Sequence, residues 1–358
     1  MHFHPIPELI EELRAGRMII LVDDEDRENE GDFVVAAEAL TVAQVVQMNR
    51  LASGIITVPM PAGWLERLHI EPMVKDNVES LKTAFTVTVD ARAGISTGSS
   101  AHDRVHTIRR LADPNATRDD FVRPGHINPL AVRAGGVLKR AGHTEASHDL
   151  LVMAGMQPVA VLCEIMGDDG EMLRLDGLRT LADQMGLKLG SIADIIRYRL
   201  NRENLITQIE EQEIETAHGT FLARRFRSHV DQGQYTVFIR GEVDPDTPSL
   251  VRIHRSSVTD DLFGLLGGGN SSMSLAFKRI AEEGGVLLYI EGAPTAASSP
   301  MPMDARNYGI GAQVLRTLGI RHLRLLTDNP TRRAALDGFG LEIVEYVPLH
   351  QTPAAQGE

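Results

Sequence analysis

The sequence predicts two domains of the α+β or α/β class, and three observations carry that reading. At 358 residues the chain exceeds what one ordinary core serves and suits two of about 150 to 200 residues each. Short β-rich runs alternate with helical apolar spacing through both halves. Between the halves, Asn201 to Glu215 is polar and acidic, holds Glu203, Glu210, Glu211, Glu213 and Glu215, and lacks an apolar stripe.

In the first half, Met18–Val22, Asp32–Ala37, Ile55–Met60, Phe85–Val89 and Val159–Ile165 read as strands. Thr41–Leu51, Ala101–Leu111, Thr144–Ala154 and Ser191–Leu200 carry helical spacing. The second half gives strands at Thr220–Phe226, Tyr235–Arg240, Leu250–His254, Val286–Ile290, Leu323–Leu326 and Glu342–Val347. Helices are expected at Ser272–Glu283, Asp304–Leu318 and Pro330–Leu336, with the Pro-, Ala- and Ser-rich Gly292–Pro302 as a loop. The expected division is therefore a first domain over 1–203, a linker over 204–215, a second domain over 216–349 and a frayed tail over 350–358.

Composition narrows the function. The chain is 43% hydrophobic and 24% charged, as soluble globular proteins are, and no stretch approaches the ~18 apolar residues that a membrane span needs. Its start has neither the basic residues nor the apolar run of a signal peptide, so the cytoplasm is the expected address and no membrane partner is expected. A net charge of −13 disfavours nucleic acid. Cys163 is the only cysteine, which excludes an internal disulfide and any zinc site that needs two or more thiolates.

Three segments concentrate chemistry. Asp23 to Asp32 packs seven carboxylates around Arg27 directly after an apolar strand. Such a cluster is either a solvated acidic loop or a seat for a hard, oxygen-liganded cation together with acid–base work. Arg123–His126 and Arg140–Thr144 each bring an arginine and a histidine into a glycine turn, and the second opens a helix, a plausible phosphate seat. Glu164 lies in an apolar strand, where a carboxylate either faces solvent or has a partner or a chemical role.

Taken together, the Asp23–Asp32 string, Gly94–Arg104, Arg123–Leu130, Arg140–Ala146 and Cys163–Met166 resemble 3,4-dihydroxy-2-butanone-4-phosphate synthase, in that family's order and spacing. The resemblance implies an α+β fold and conversion of D-ribulose 5-phosphate to 3,4-dihydroxy-2-butanone 4-phosphate and formate, a lyase step of riboflavin biosynthesis. It implies that Glu28 and His143 hold Mg²⁺, with Mn²⁺ as a substitute, and that His126 and Glu164 are catalytic. It assigns substrate contacts to Arg27, Glu28, Asp32, Arg140, Ala141, Gly142, His143, Thr144 and Glu164. It further implies a homodimer with sites at the subunit interface, where His126 acts across the boundary. One departure is Thr57, where many relatives carry cysteine.

From about Thr216 to Leu349 the chain is similar to GTP cyclohydrolase II, on Leu250–His254, Thr259–Gly264, Gly285–Tyr289, Asp304–Leu315 and Leu325–Pro330. The three zinc-cysteine positions of that family read Ser257, Gly268 and Asn270 here, its glutamate reads Ser256, and its guanine-recognition string ends in Ala293. Asp304 and Arg306 occupy the positions of its proton acceptor and nucleophile, but no zinc is expected to activate water beside them. The expected domain is therefore inactive toward GTP. The alternative is a nucleotide-sensing or partner-docking module that uses Arg252, Thr327, Asn329 and Arg332.

Overall fold

The computed structural model describes residues 3–25, 27–230, 232–256, 261, 271–291, 305–328 and 340–350. The chain separates into two compact units, 1–198 and 199–358. A two-domain α/β architecture with mixed sheets is thus what the sequence encodes, although the division falls inside a helix, Ile192–Arg202, rather than after it.

The first unit opens with α1 (Ile6–Arg14), whose Ile6, Leu9, Ile10 and Leu13 repeat at helical spacing and are all buried. Then follow β1 (Ile19–Val22), β2 (Gly31–Ala36), α2 (Val42–Leu51), β3 (Thr57–Pro61), α3 (Ala62–Arg67), β4 (Val89–Ala91), α4 (Ala101–Leu111) and β5 (Phe121–Val132). The unit closes with α5 (His143–Ala154), β6 (Ala160–Glu164), α6 (Leu175–Met185), β7 (Lys188–Ser191) and α7 (Ile192–Arg202). One sheet of seven strands runs β4-β5-β3-β6-β2-β1-β7. β1 and β2, each flanked by strands on both sides, are buried at every residue, which is why Ile19–Val22 and Phe33–Ala36 read as unbroken apolar runs rather than alternating ones. Phe33, Val35, Val161 and Cys163 belong to the main core cluster, where Phe33 is fully enclosed.

α2 and α4 start where side-chain caps dictate. Thr41 and Gln44 form a reciprocal capping box, and Ser100 accepts the Asp103 amide. α5 is built differently. Its first turn, His143, Thr144, Glu145 and Ser147, is polar yet buried, and no side chain caps it at Gly142. His143 and Thr144 of that helix start line a cleft.

Two expectations need correction in this unit. Phe85–Val89 is not a strand: Phe85 and Thr86 make isolated bridges to Leu130 and Pro72, and the paired strand begins at Val89. Arg123–His126 is not a turn but part of β5. A β-carbon on Gly125 would lie 2.1 Å from the Val89 carbonyl carbon, so this glycine marks close approach of two strands.

The second unit has its own seven-stranded sheet, ordered β14-β13-β11-β12-β10-β9-β8. Its strands are β8 (Ile206–Thr216), β9 (Gly219–Ser228), β10 (Gln234–Arg240), β11 (Ser249–Arg255), β12 (Gly285–Ile290), β13 (His322–Leu326) and β14 (Glu342–Val347), with α8 (Ser272–Glu283) and α9 (Ala305–Thr317). Residues 204–215 are therefore not a linker: most of them form β8, hairpin-paired to β9 from Ile206 to Thr216. β8 is an edge strand with almost every side chain in solvent, so it needs no apolar stripe. Its glutamates pair across the hairpin, Glu210 with Arg225 and Glu211 with Arg224, and such charges also guard an edge against further pairing. The expected loop Gly292–Pro302, the helix Pro330–Leu336 and the tail from 351 lie outside the described residues. So do Ser257, Gly268, Asn270, Ala293, Asp304, Asn329 and Arg332.

Candidate active site

The loop from β1 to β2 is a braced turn rather than a free acidic string. Asp23, buried at its base, accepts the amides of Glu28 (3.0 Å) and Glu30 (2.8 Å) and the Arg27 guanidinium (2.9 Å). Arg174 donates to the Glu28 carbonyl at 2.9 Å. The loop thereby carries Arg27, Glu28 and Glu30 to the end of β2, where Asp32 sits in register with Glu164 of β6.

α5 enters from the other side. His143 Nδ1 lies 3.8 Å from Glu28 Oε2 and 3.9 Å from Asp32 Oδ1. Arg27, Glu28, Glu30, Asp32, Thr57, Thr83, Phe85, Arg140, His143, Thr144 and Glu164 line one cleft. Gly142 stands between the two arginines: a β-carbon there would lie 2.4 Å from Arg140 Nη1 and 3.2 Å from Arg27 Nη2. One end of the cleft thus offers an uncapped helix N-terminus flanked by Arg27 and Arg140, which suits an oxyanion.

The other end is crowded with carboxylates. Burial, reinforced by Glu164, Glu28 and Glu30, pushes Asp32 up to about 7 against the pull of His143. Burial alone would lower His143, but Asp32, Glu28 and Asp23 outweigh it and push the imidazole up to about 9. Desolvation, then the Glu28 charge, raises Glu164 at the lip of the cleft, and desolvation also raises Glu30. Glu28 moves the opposite way, because its contacts with His143 and Arg27 exceed its burial penalty.

Two buried polar atoms here, Asp32 Oδ1 and His143 Nε2, have no hydrogen-bond partner. Asp23, Glu28 and His143 each bring one ligand atom within 4.8 Å of the others. An imidazole beside oxygen donors in a site with surplus negative charge fits a divalent cation of the Mg²⁺ or Mn²⁺ kind. Asp23 already accepts three hydrogen bonds, which leaves Glu28 and His143 as the better placed pair.

His126 is not in this cleft. From β5 it directs Nδ1 to Asp90 Oδ2 at 2.6 Å, its amide donates to Asp90 Oδ1 at 3.0 Å, and its ring remains 44% exposed. Asp90, Thr83 and Asp23 escaped the sequence reading. Asp23 was visible only as one carboxylate among seven, and Asp90 and Thr83 carry no local motif, since tertiary pairing alone gives them their places. Ala141 lies in the same arginine-to-helix segment but does not line the cleft.

Such a fold and cleft define an α/β enzyme built for acid–base work on a small anionic molecule. Residues 7–198 match the 3,4-dihydroxy-2-butanone 4-phosphate synthase family, and residues 207–299 and 292–348 match GTP cyclohydrolase II. The chain belongs to the 3,4-dihydroxy-2-butanone 4-phosphate synthase family in its form fused to a GTP cyclohydrolase II domain, and is a lyase of riboflavin biosynthesis.

Among curated relatives, it is 46% identical to the monofunctional riboflavin biosynthesis protein RIBA 2, chloroplastic, of Arabidopsis thaliana, over 98% of this chain and 78% of that one. It is 42% identical to the riboflavin biosynthesis protein RibBA of Bacillus cytotoxicus, over 99% and 95%. Among solved structures, RibBX of A. baumannii, a two-domain 3,4-dihydroxy-2-butanone 4-phosphate synthase, matches 96% of this chain and 99% of its own at 37% identity and a TM-score of 0.82. A 3,4-dihydroxy-2-butanone 4-phosphate synthase in complex with two magnesium ions matches 55% of this chain and 96% of its own, at 40% identity and a TM-score of 0.53.

Proposed function

We propose that the first unit converts D-ribulose 5-phosphate to 3,4-dihydroxy-2-butanone 4-phosphate and formate with Mg²⁺ or Mn²⁺ held by Glu28 and His143. One observation carries this reading: a carboxylate–imidazole cluster with unpaired buried atoms and an arginine-flanked helix N-terminus share one cleft. The phosphate lies against Arg27, Arg140 and the Gly142–Thr144 amides, with Ala141 as backbone between them, and the sugar extends toward Asp32 and Glu164. When bound, the cation supplies positive charge beside substrate oxygens that become anionic.

Asp32 and Glu164, side by side on one face of the sheet, exchange protons with substrate carbon and oxygen at close range. The C1 hydroxyl leaves as water, the skeleton rearranges, and water taken up again releases C4 as formate, so substrate and the two products balance. His126, oriented by Asp90, acts on the site of a second protomer in a cytoplasmic homodimer. Its exposed ring and its absence from its own cleft support that placement.

The second unit does not hydrolyse GTP in this reading. Cys163, the chain's only cysteine, lies in the other unit, so no set of thiolates is present to hold zinc. Formate release from ribulose 5-phosphate and from GTP, each with and without added Mg²⁺ and Zn²⁺, tests both halves of the proposal. Release from the sugar phosphate alone, lost in excess chelator, is the expected result; release that persists in chelator refutes the metal assignment.

A further inference from the structure

Of the two arginines at the phosphate end of the cleft, Arg140 is held from two sides. Arg140 donates from Nη1 to the buried Glu145 at 2.8 Å, from Nη2 to Thr83 Oγ1 at 2.9 Å, and from Nε to the Leu81 carbonyl at 3.3 Å. A guanidinium has five N–H donors, so these three contacts leave two, one on each terminal nitrogen. Two N–H groups on the two terminal nitrogens can meet an oxyanion bidentately when they run parallel. Glu145 is buried in α5; Leu81 and Thr83 belong to a surface loop.

That loop is folded around a carboxylate. Glu79 Oε1 accepts the Leu81 amide at 2.7 Å and the Ser80 hydroxyl at 2.9 Å, while Oε2 accepts the Thr83 amide at 2.8 Å. These backbone donors hold its pKa down at about 2, so it stays charged throughout the working range. Asn77 closes the loop by donating to the Thr83 carbonyl at 2.9 Å and accepting the Glu79 amide at 3.0 Å. Lys82 between them takes the left-handed φ of +56°, a conformation that a side-chain-bearing residue keeps only where its surroundings enforce it. Every contact of Glu79 is with its own loop, and both residues that it fixes by their amides are the ones that hold Arg140.

We propose that Glu79 is a positioning residue for phosphate recognition: by fixing the amides of Leu81 and Thr83 it presents their oxygens to Arg140 and so aims the guanidinium fork. The proposal rests on the reading that this end of the cleft takes the substrate's phosphate. Glu79 touches neither substrate nor Arg140. Without it the loop keeps its covalent path but loses the two bonds that set Thr83 Oγ1 and the Leu81 carbonyl, and Arg140 retains Glu145 alone.

Full-length wild type, Glu79→Ala and Glu79→Gln are compared in three measurements: steady-state kinetics with ribulose 5-phosphate, inhibition by inorganic phosphate, and amide hydrogen exchange. The alanine variant is expected to raise KM and the inhibition constant for phosphate together, each by about tenfold, on the scale of one charge-assisted contact. kcat is expected to stay within about twofold, since the acid–base groups are untouched. Glutamine keeps one acceptor oxygen for Leu81 and should recover part of the loss. Exchange should accelerate at Leu81 and Thr83 in the alanine variant.

Unchanged KM and phosphate inhibition despite faster exchange overturn the proposal, and so does a fall in kcat at constant phosphate affinity. Should the wild type turn over no sugar phosphate, the proposed activity fails on its own. Calorimetric titration of inorganic phosphate then decides the positioning role: weaker binding by the alanine variant supports it, and equal binding or none by either protein overturns it.

Discussion

Both units are built on a seven-stranded mixed sheet, yet they bury different things. The first encloses the carboxylates of Asp32, Asp90, Asp103, Glu145 and Asp149 together with His143, whereas the buried ionisable side chains among the described residues of the second are His254 and the phenol Tyr235. Burying an ionisable group costs several kcal/mol unless partners compensate, so such groups persist only where pairing or chemistry repays them. In the first unit most are paired: Asp90 with His126, Glu145 with Arg140, and Asp103 with Ser96 and the Gly98 amide. Asp32 and His143 keep unpartnered atoms that face a cleft, and there the cost points to a bound cation and substrate. A sheet of the same size therefore says little about activity; the distribution of uncompensated charge says more.

The sharpest test of that contrast is Glu28→Gln. It removes the charged oxygen that faces His143 across 3.8 Å and keeps the side chain's size. Turnover of ribulose 5-phosphate should fall by about a thousandfold or more, as loss of a group that stabilises developing charge does. Its thermal midpoint should fall slightly, because the charged Glu28 gains more from His143 and Arg27 than its burial costs. A variant with near-normal formate release would break the assignment of the cation to this pair.

The second prediction asks whether the difference between the units is also a separation. A chain ending at Glu203 retains all the residues of the cleft and the complete first sheet. It should fold and keep kcat within about fivefold. The synthase solved with two magnesium ions, 96% of whose length aligns with 55% of this chain, supports this. A folded but inactive truncation would assign the second unit a part in building or controlling the site.

How far the sequence revealed this contrast varied with the physics of each segment. Boundaries were legible wherever a cap or apolar period decided them: α4 and α8 begin after Ser100 and Ser271, and both span the predicted residues. α1 and α6 were passed over, although α1 carries a clear apolar stripe. β8 was read as linker because a solvated edge strand has no pattern to show, its stability coming from its neighbour β9. For the cleft, the string Asp23–Asp32 and the helix start at His143 were visible as local motifs. Asp90 behind His126 and Thr83 beside Arg140 were not, since each is separated in sequence by dozens of residues from the group it holds.

A smaller effect concerns acid stability in the first unit. Asp103 accepts Ser96 Oγ at 2.7 Å, the Ser96 amide at 3.0 Å and the Gly98 amide at 3.2 Å, and these bonds, Ser96 foremost, hold its pKa at about 2. Because the folded value lies below the unfolded one of about 3.9, the carboxylate's stabilising contribution is complete above that value and is lost as pH falls through about 2. Asp103→Asn should therefore lower the denaturation midpoint at pH 6 and match the wild type at pH 2. A gap that persists unchanged at pH 2 would trace the effect to packing instead of charge.

The smallest expected effect is a null, and it belongs to the second unit. GTP should release no formate, and metal analysis should find no tightly held zinc. Activation of water for attack on a purine needs a metal that lowers its pKa, and a structural or catalytic zinc of this type needs deprotonated thiols. The resemblance to the cyclohydrolase family implies that Ser257, Gly268 and Asn270 stand at its cysteine positions, and none of the three supplies a thiolate. Restoring the three cysteines together should not restore GTP hydrolysis, because Ala293 still departs from that family's guanine-recognition string. Stoichiometric zinc in the unaltered protein, or formate from GTP, would make the two units alike in chemistry and end the contrast between them.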